Sequence, residues 1–336
     1  MRALVFTGPG KAEVLAVPAP VAAAGQVVVD VERVGVCGTD MELFSGEMSY
    51  FRTGGSSYPL RPGHEWCGVV SAVGDGVDEG WIGRRVTGDT MIGCGNCRRC
   101  AAGRHWVCAE RHELGITDGL PGALAEQLAV PAAYLHRLPD AVDATLGALV
   151  EPGGNALRCV GAAAVAGGER LLILGTGTIG LLVALFARAR GIAVDLIGRT
   201  RQDLELPRSL GFSAVWTRDT LPSISWDGIV DASTGTEMPA LALDLVEPGR
   251  RVVYIGLSVP PSLVDTRDLV LKDVTAVGIL GASAGLAGAI DAYANGSVDP
   301  RPLVAATVSL DEIAGVLAGH HRPPGAGPKT HVDPRL

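Results

Sequence analysis

The chain has 336 residues, 47% of them hydrophobic, and a formal net charge of −8, enough apolar sequence for one large domain or two medium ones. Lys and Arg form no long run, which argues against nucleic-acid binding, because that needs a basic face. No apolar stretch of about 18 residues runs unbroken, so no membrane span is expected; MRALVFTGPGK meets Gly and Pro too early for a signal peptide, and the expectation is a cytoplasmic protein.

The first third is rich in Val, Gly and Pro. QVVVDVERVGV (26–36), CGVVSAVG (67–74) and RRVTGD (84–89) are predicted as short strands between Gly turns. Four of the seven cysteines then fall within CGNCRRCAAGRHWVC (94–108). From about Leu146 the texture changes. ALVEPGGNALRCVGAAA predicts a helix entered through Pro152, ERLLILG (169–175) a buried strand, and TIGLLVALFARARG (178–191) a helix ending at Gly191. IAVDLIG (192–198), DGIVDAS (227–233), RRVVYIGL (250–257) and VTAVGIL (274–280) follow as strands, with helical stretches between several of them. Strands alternating with helices predict a parallel α/β sheet. After about Gly285 one helix is expected, DEIAGVLAG, and then a Pro- and Gly-rich end.

GTGTIG (175–180) satisfies G-x-G-x-x-G. Gly is abundant here, so the pattern alone is weak. Its context strengthens it, because it follows a buried strand and opens a helix. Gly175 allows the tight turn, Gly177 lets a pyrophosphate approach, and Gly180 lets helix and strand pack closely. Thr178 and Ile179 complete the fingerprint, and the helix N-terminus faces the phosphates. The end of the next strand decides between cofactors. NAD enzymes place a carboxylate there. Here Asp195 lies too early, inside the strand, and the strand end is Gly198, followed by Arg199, Thr200 and Arg201. Gly opens space and Arg pairs with phosphate through a planar fork, so NADP is expected over NAD. The same arginines also fit a merely solvated face.

Cys94, Cys97, Cys100 and Cys108 are spaced C-x2-C-x2-C-x7-C. A reduced compartment favours metal over disulfide. Four thiolates in one loop can close a tetrahedral zinc with no open position, which is a structural site. A thioredoxin-like pair fits poorly, and an iron–sulfur cluster is a lesser alternative. A catalytic metal needs other ligands. VCGTD carries Cys37, RPGHEW carries His64 and Glu65, and LVEPGGN carries Glu151. One thiolate, one imidazole and one carboxylate would hold zinc and leave a position open. Taken singly, each also fits an ordinary role: core thiol, loop histidine, helix-start carboxylate.

VGVCGTD, PGHEWCGVVSAVG, the lobe from GDT to Cys108, VEPGGNA and LGTGTIGL occur in that order. Through them the chain resembles the zinc-containing medium-chain dehydrogenases over nearly its whole length. The resemblance implies an α/β fold: a GroES-like β-rich catalytic domain (1–150) with its zinc lobe, a Rossmann domain with a doubly wound parallel sheet (151–285), and a C-terminal segment (286–336) returning to the first. It implies two zincs per chain, one structural on Cys94, Cys97, Cys100 and Cys108, and one catalytic on Cys37, His64 and Glu151. Glu65 matches a glutamate that sits close to the metal and can replace water on it. Asp40 matches a carboxylate that orients the ligand histidine. Thr39 matches the residue that takes the alcohol proton, and Glu42 is a further stop on its way out. A homodimer or homotetramer is implied as well.

The resemblance implies hydride transfer from an alcohol to a nicotinamide cofactor, which the strand-end arginines make NADP. Glu151 stands where simple alcohol dehydrogenases of the family usually carry Cys, and where polyol, sugar and threonine branches carry Glu or Asp. CGTD followed by x-Glu resembles glucose dehydrogenases, GHEW with VEP resembles cyclitol and aminocyclitol dehydrogenases, and EPGGNA resembles the threonine branch. The expected substrate is a small polyol, sugar or (amino)cyclitol, oxidised reversibly to a ketone or lactone. The alternatives are a threonine or amino-alcohol dehydrogenase and a non-catalytic NADP-binding member of the family.

Overall fold

The computed structural model describes residues 1–320 and 325–336. The Pro- and Gly-rich end expected after DEIAGVLAG falls partly outside them. The chain divides into two compact units: Met1–Glu151 with Ile290–Asn295 and Val304–Leu336, and Pro152–Ala289 with Gly296–Leu303. Among the described residues no helix is long and apolar enough to cross a membrane.

The first unit is built on a seven-stranded sheet. Gln26–Gly35 runs along its middle, antiparallel to Glu65–Val73, Gln127–Pro131 and Lys329–Val332. Valines at 27, 29 and 31 recur with period two and are fully buried, the signature of a strand with one face on a core. Leu4, Phe6, Trp66, Leu124 and Leu128 pack into the same core. The helix Leu310–Leu317 starts where Ser309 N–H donates to the Glu312 carboxylate at 2.8 Å and Glu312 N–H donates back to the Ser309 side chain, a reciprocal cap.

One further helix, Leu286–Ala294, lies in the tail where the sequence led us to expect a single one. Its buried residues are Leu286, Ala289, Ile290 and Tyr293, spaced i, i+3, i+4 and i+7. Small residues between them, Gly288 among them, mask that period in the bare sequence.

His331 lies on the strand Lys329–Val332, opposite Gly35. It is fully buried, and neither ring nitrogen has a partner among the described residues. Burial first, then the charges of Lys329 and Arg33, push its pKa down to about 3 against the pull of Asp143. The imidazole is therefore neutral when folded, while in the unfolded chain it protonates near its ordinary value of about 6.5. Its contribution to stability is complete above that value and is lost as pH falls toward 3. We expect His331→Leu to flatten the acid limb of the stability curve, by up to about 1.4 kcal/mol per pH unit between about pH 6 and pH 4. Urea denaturation across that range checks it, and an unchanged slope contradicts it.

The second unit carries a six-stranded, all-parallel sheet. Its spatial order is Val215–Trp216, Ala193–Ile197, Arg170–Leu174, Trp226–Asp231, Val246–Tyr254, Thr275–Gly278. In chain order that is 3-2-1-4-5-6, the doubly wound arrangement, whose crevice opens at the carboxyl ends of the first and fourth strands. Leu171, Leu172, Ile173 and Leu174 are all fully buried, as a strand covered on both faces requires.

Candidate functional site

Cys94, Cys97, Cys100 and Cys108 are free thiols whose sulfurs gather within 4.8 Å of one another. Cys108 Sγ lies 3.8 Å from that of Cys97 and 3.5 Å from that of Cys94. A sulfur tetrahedron around zinc with arms of about 2.3 Å has edges of about 3.8 Å, so the cluster fits the ion and leaves no position open. Cys97 caps the short helix Arg98–Ala101, and the Cys100 backbone N–H holds its thiol down to about 6. A low thiol pKa is the state a metal ligand needs. His105 and His112 face carboxylates instead: His105 Nε2 is 3.2 Å from Asp89 and His112 Nδ1 is 2.9 Å from Asp118.

The other cluster brings Cys37, His64 and Glu65 within 4.8 Å. Cys37 caps the helix Gly38–Ser45, and its N–H donates to Asp40 Oδ2 at 2.9 Å. Asp40 is fully buried. Its other oxygen accepts from Gly63 N–H at 3.2 Å and lies 3.8 Å from His64 Nδ1. Glu151, buried in the first turn of the helix Val150–Ala163, acts on His64 through its charge. Burial opposes a charge on His64, yet Asp40, Cys37 and Glu151 together raise its pKa well above the ordinary value. The pocket thus favours a cation, and His64 Nδ1 is a buried atom with no hydrogen-bond partner. One thiolate, one imidazole and one carboxylate suit zinc with a position left for another ligand.

Glu65 is held in a way the sequence reading missed. Lys329 Nζ donates to its two carboxylate oxygens at 2.9 and 2.6 Å, and to Val36 O at 2.9 Å. Both side chains are almost wholly buried, at 3% and 2% exposure. A Cβ at Gly35 would collide with Glu65 Oε2, so this position takes Gly for close approach. Lys329 is one of only three lysines in the chain. That scarcity was the available signal, but its partner lies 264 residues away.

Thr39 and Glu42, both half-buried, share the helix that Cys37 caps. Their i, i+3 spacing puts them on one side of it. Burial, then the Glu47 charge, raises the Glu42 pKa.

In the second unit Gly175 has φ +109°, a conformation open to Gly. A Cβ on Gly180 would collide with Gly175 O. Gly177 caps the helix Thr178–Ala189 without a side-chain acceptor, and no atom lies within 4 Å of where its Cβ would stand. Thr178 and Ile179 form the first turn, so unpaired N–H groups face open space, the setting for a phosphate. Asp195 is 1% exposed and occupied: Arg170 grips both its oxygens at 2.9 to 3.2 Å, and Trp216 Nε1 donates at 2.9 Å. Beyond Gly198, Arg199 is 92% exposed and Arg201 is exposed. Asp203, unremarked in the sequence, folds back beside Gly198. It accepts from Thr200 N–H at 3.0 Å and lies 3.9 Å from Arg199.

Residues 23–140 match the family model of the alcohol dehydrogenase GroES-like domain. An L-threonine 3-dehydrogenase of Saccharopolyspora erythraea is 34% identical, covering 84% of each chain. A 2-dehydro-3-deoxy-L-galactonate 5-dehydrogenase of Pseudoalteromonas atlantica is 33% identical, covering 88% of each. Among solved structures, an alcohol dehydrogenase of Escherichia coli CFT073 complexed with NADH superposes with TM-score 0.90 at 25% identity, over 99% of both chains. A protein of Sinorhizobium meliloti 1021, described as a zinc-binding dehydrogenase and bound to NADP, superposes with TM-score 0.89 at 27% identity, again over 99% of both. The chain belongs to the zinc-type medium-chain alcohol and polyol dehydrogenases, an oxidoreductase family with a GroES-like domain and a Rossmann-type sheet.

Proposed function

We propose that the protein oxidises a secondary alcohol of a polyol, sugar or (amino)cyclitol, with NADP as acceptor and with Cys37, His64 and Glu151 as ligands of a catalytic zinc. What supports this is the cluster of half-buried Cys37 with buried His64 and Glu65, in a pocket that favours a cation and where Glu151 acts on His64 through its charge. A second zinc in the four-cysteine lobe pins that lobe. When bound, the catalytic zinc supplies Lewis-acid polarisation of the alcohol oxygen and the nicotinamide accepts hydride.

The chain's own residues do the rest. Asp40, holding Cys37 N–H and Gly63 N–H, fixes the segment that presents His64. Thr39 accepts the alcohol proton and Glu42 passes it outward, its raised pKa bringing it closer to a proton carrier's range. Lys329 restrains Glu65 at the edge of the cluster. The turn Gly175–Gly180 receives the pyrophosphate, and Arg199 and Arg201 receive the 2′-phosphate. The occupied carboxylate of Asp195 supports NADP, because it is not free for a ribose hydroxyl.

Replacing Arg199 and Arg201 together by Ala is expected to lower kcat/KM for NADP roughly 10- to 100-fold and to leave NAD nearly unaffected. A parent enzyme that prefers NAD more than about tenfold would sink the assignment. A threonine dehydrogenase is the second reading, favoured by the S. erythraea relative. Cofactor reduction over sugars, polyols, cyclitols, aminocyclitols and threonine, each with NADP and NAD, separates the two.

A further inference from the structure

Arg61 opens the segment RPGHEW, which carries His64. Its guanidinium is partly enclosed. Nε is buried without an acceptor, and among the described residues no hydrogen bond or ion pair engages the fork. Burial alone pulls its pKa down to about 10, with no neighbouring charge acting on it. Three other arginines of this chain are paired: Arg85 with Glu32 at 2.6 Å, Arg170 with Asp195 at 2.9 Å, and Arg33 with Asp333 at 3.5 Å. A buried N–H donor without an acceptor carries a desolvation cost that a bound acceptor would relieve.

The backbone around it is firmly held. Arg61 O, Pro62 O and Gly63 O accept from Gly122, Leu124 and Ala123 N–H at 2.8, 3.0 and 2.8 Å, and Gly63 N–H donates to Asp40. Three residues of chain put the Cα atoms of Arg61 and His64 at most about 11 Å apart. A six-carbon substrate and one extended arginine side chain span that together.

We propose that Arg61 binds an oxyanion at the far end of the substrate, so that the polyol oxidised beside His64 is a sugar acid or a sugar phosphate. This rests on the dehydrogenase reading above and narrows its substrate class. The planar fork of Arg matches carboxylate and phosphate alike, and the bound anion supplies the counter-charge that the protein withholds.

The test compares kcat/KM of the zinc-loaded enzyme with NADP on three matched classes: hexitols, hexonates and hexitol phosphates. The parent chain is expected to favour one anionic class over the hexitols by roughly 10- to 100-fold, and which class wins identifies the anion. Arg61→Met should collapse that ratio to within about threefold of unity, acting mainly through KM, while Arg61→Lys keeps part of it. Arg61→Gln serves if the Met variant fails to fold. Titration calorimetry with a hexonate and a hexitol phosphate on the same holoenzymes reads binding apart from turnover, and the favoured anion should bind Arg61→Met at least about tenfold more weakly. Hexitols used as well as either anion, or a ratio unchanged in Arg61→Met, overturn this inference and leave the dehydrogenase reading standing. No turnover on any of the three classes, from enzyme that turns over a cyclitol, an aminocyclitol or threonine, overturns this inference alone; silence on those substrates as well overturns the dehydrogenase reading with it.

Discussion

Cys37→Ala is expected to lower turnover at least about 1,000-fold, while bound zinc falls from about two ions per chain to about one. The argument runs from the donor set. Cys37 and His64 come from the two ends of a buried arrangement that Asp40 ties together, and Glu65 and Glu151 add negative charge beside them. Removing the thiol leaves too few donors to hold a cation firmly. The loss of Lewis-acid polarisation amounts to several kcal/mol, and each decade of rate is about 1.4 kcal/mol. The helix Gly38–Ser45 keeps its Asp40 contact with the Cys37 backbone N–H, so circular dichroism and the unfolding midpoint should move little. Cys97→Ser should do the reverse, losing stability first because it opens the sulfur tetrahedron of the lobe. A Cys37→Ala enzyme with near-parental activity would remove Cys37 from the site.

Lys329→Met should cost about 3–5 kcal/mol of unfolding free energy. Its ammonium and the Glu65 carboxylate are both desolvated, 2.6 Å apart, and Lys329 also satisfies Val36 O. Burial works against the charge on Lys329, but Glu65 and Cys37 hold its pKa above the ordinary value. Taking away the cation strands a buried carboxylate on the sheet, packed close against Gly35. The penalty comes from that uncompensated charge, not from the intrinsic worth of the pair. Adding Glu65→Gln to Lys329→Met should therefore recover a good part of the loss, a coupling of roughly 2 kcal/mol or more. Denaturant titration of parent, singles and double closes the cycle. Additive losses would mean that the two residues act independently.

The local motifs were legible because their geometry is local. GTGTIG between a buried strand and a helix specifies a turn with strong local constraints: Gly175 takes a positive φ, and the collision awaiting a Cβ on Gly180 is with Gly175 O itself. The cysteine spacing Cys94, Cys97, Cys100, Cys108 likewise closes within one lobe, where Cys97 accepts from Cys100 N–H at 3.5 Å. The alternation of strands and helices after Leu146 carries the parallel sheet, and the structure returns its doubly wound order. The helix Leu286–Ala294 escaped because Ala and Gly fill the positions where a stronger polar and apolar contrast would reveal its period.

The site shows the same divide. Which residue types are candidates to hold zinc and phosphate was determined by the sequence alone, since Cys, His, Glu and Gly at those spacings have few other uses in combination. How they are restrained was decided by the tertiary structure. The sequence places Asp195 too early, inside its strand, and the tertiary structure shows what it does there: Arg170 and Trp216 occupy it across neighbouring strands of the sheet. Asp203 returns to the strand end only because the turn after Gly198 folds back on it. Lys329 meets Glu65 only because the last strand pairs with Gln26–Gly35. Such contacts depend on which strands become neighbours, a choice made by burial summed over the whole core, and no window of local sequence contains that sum.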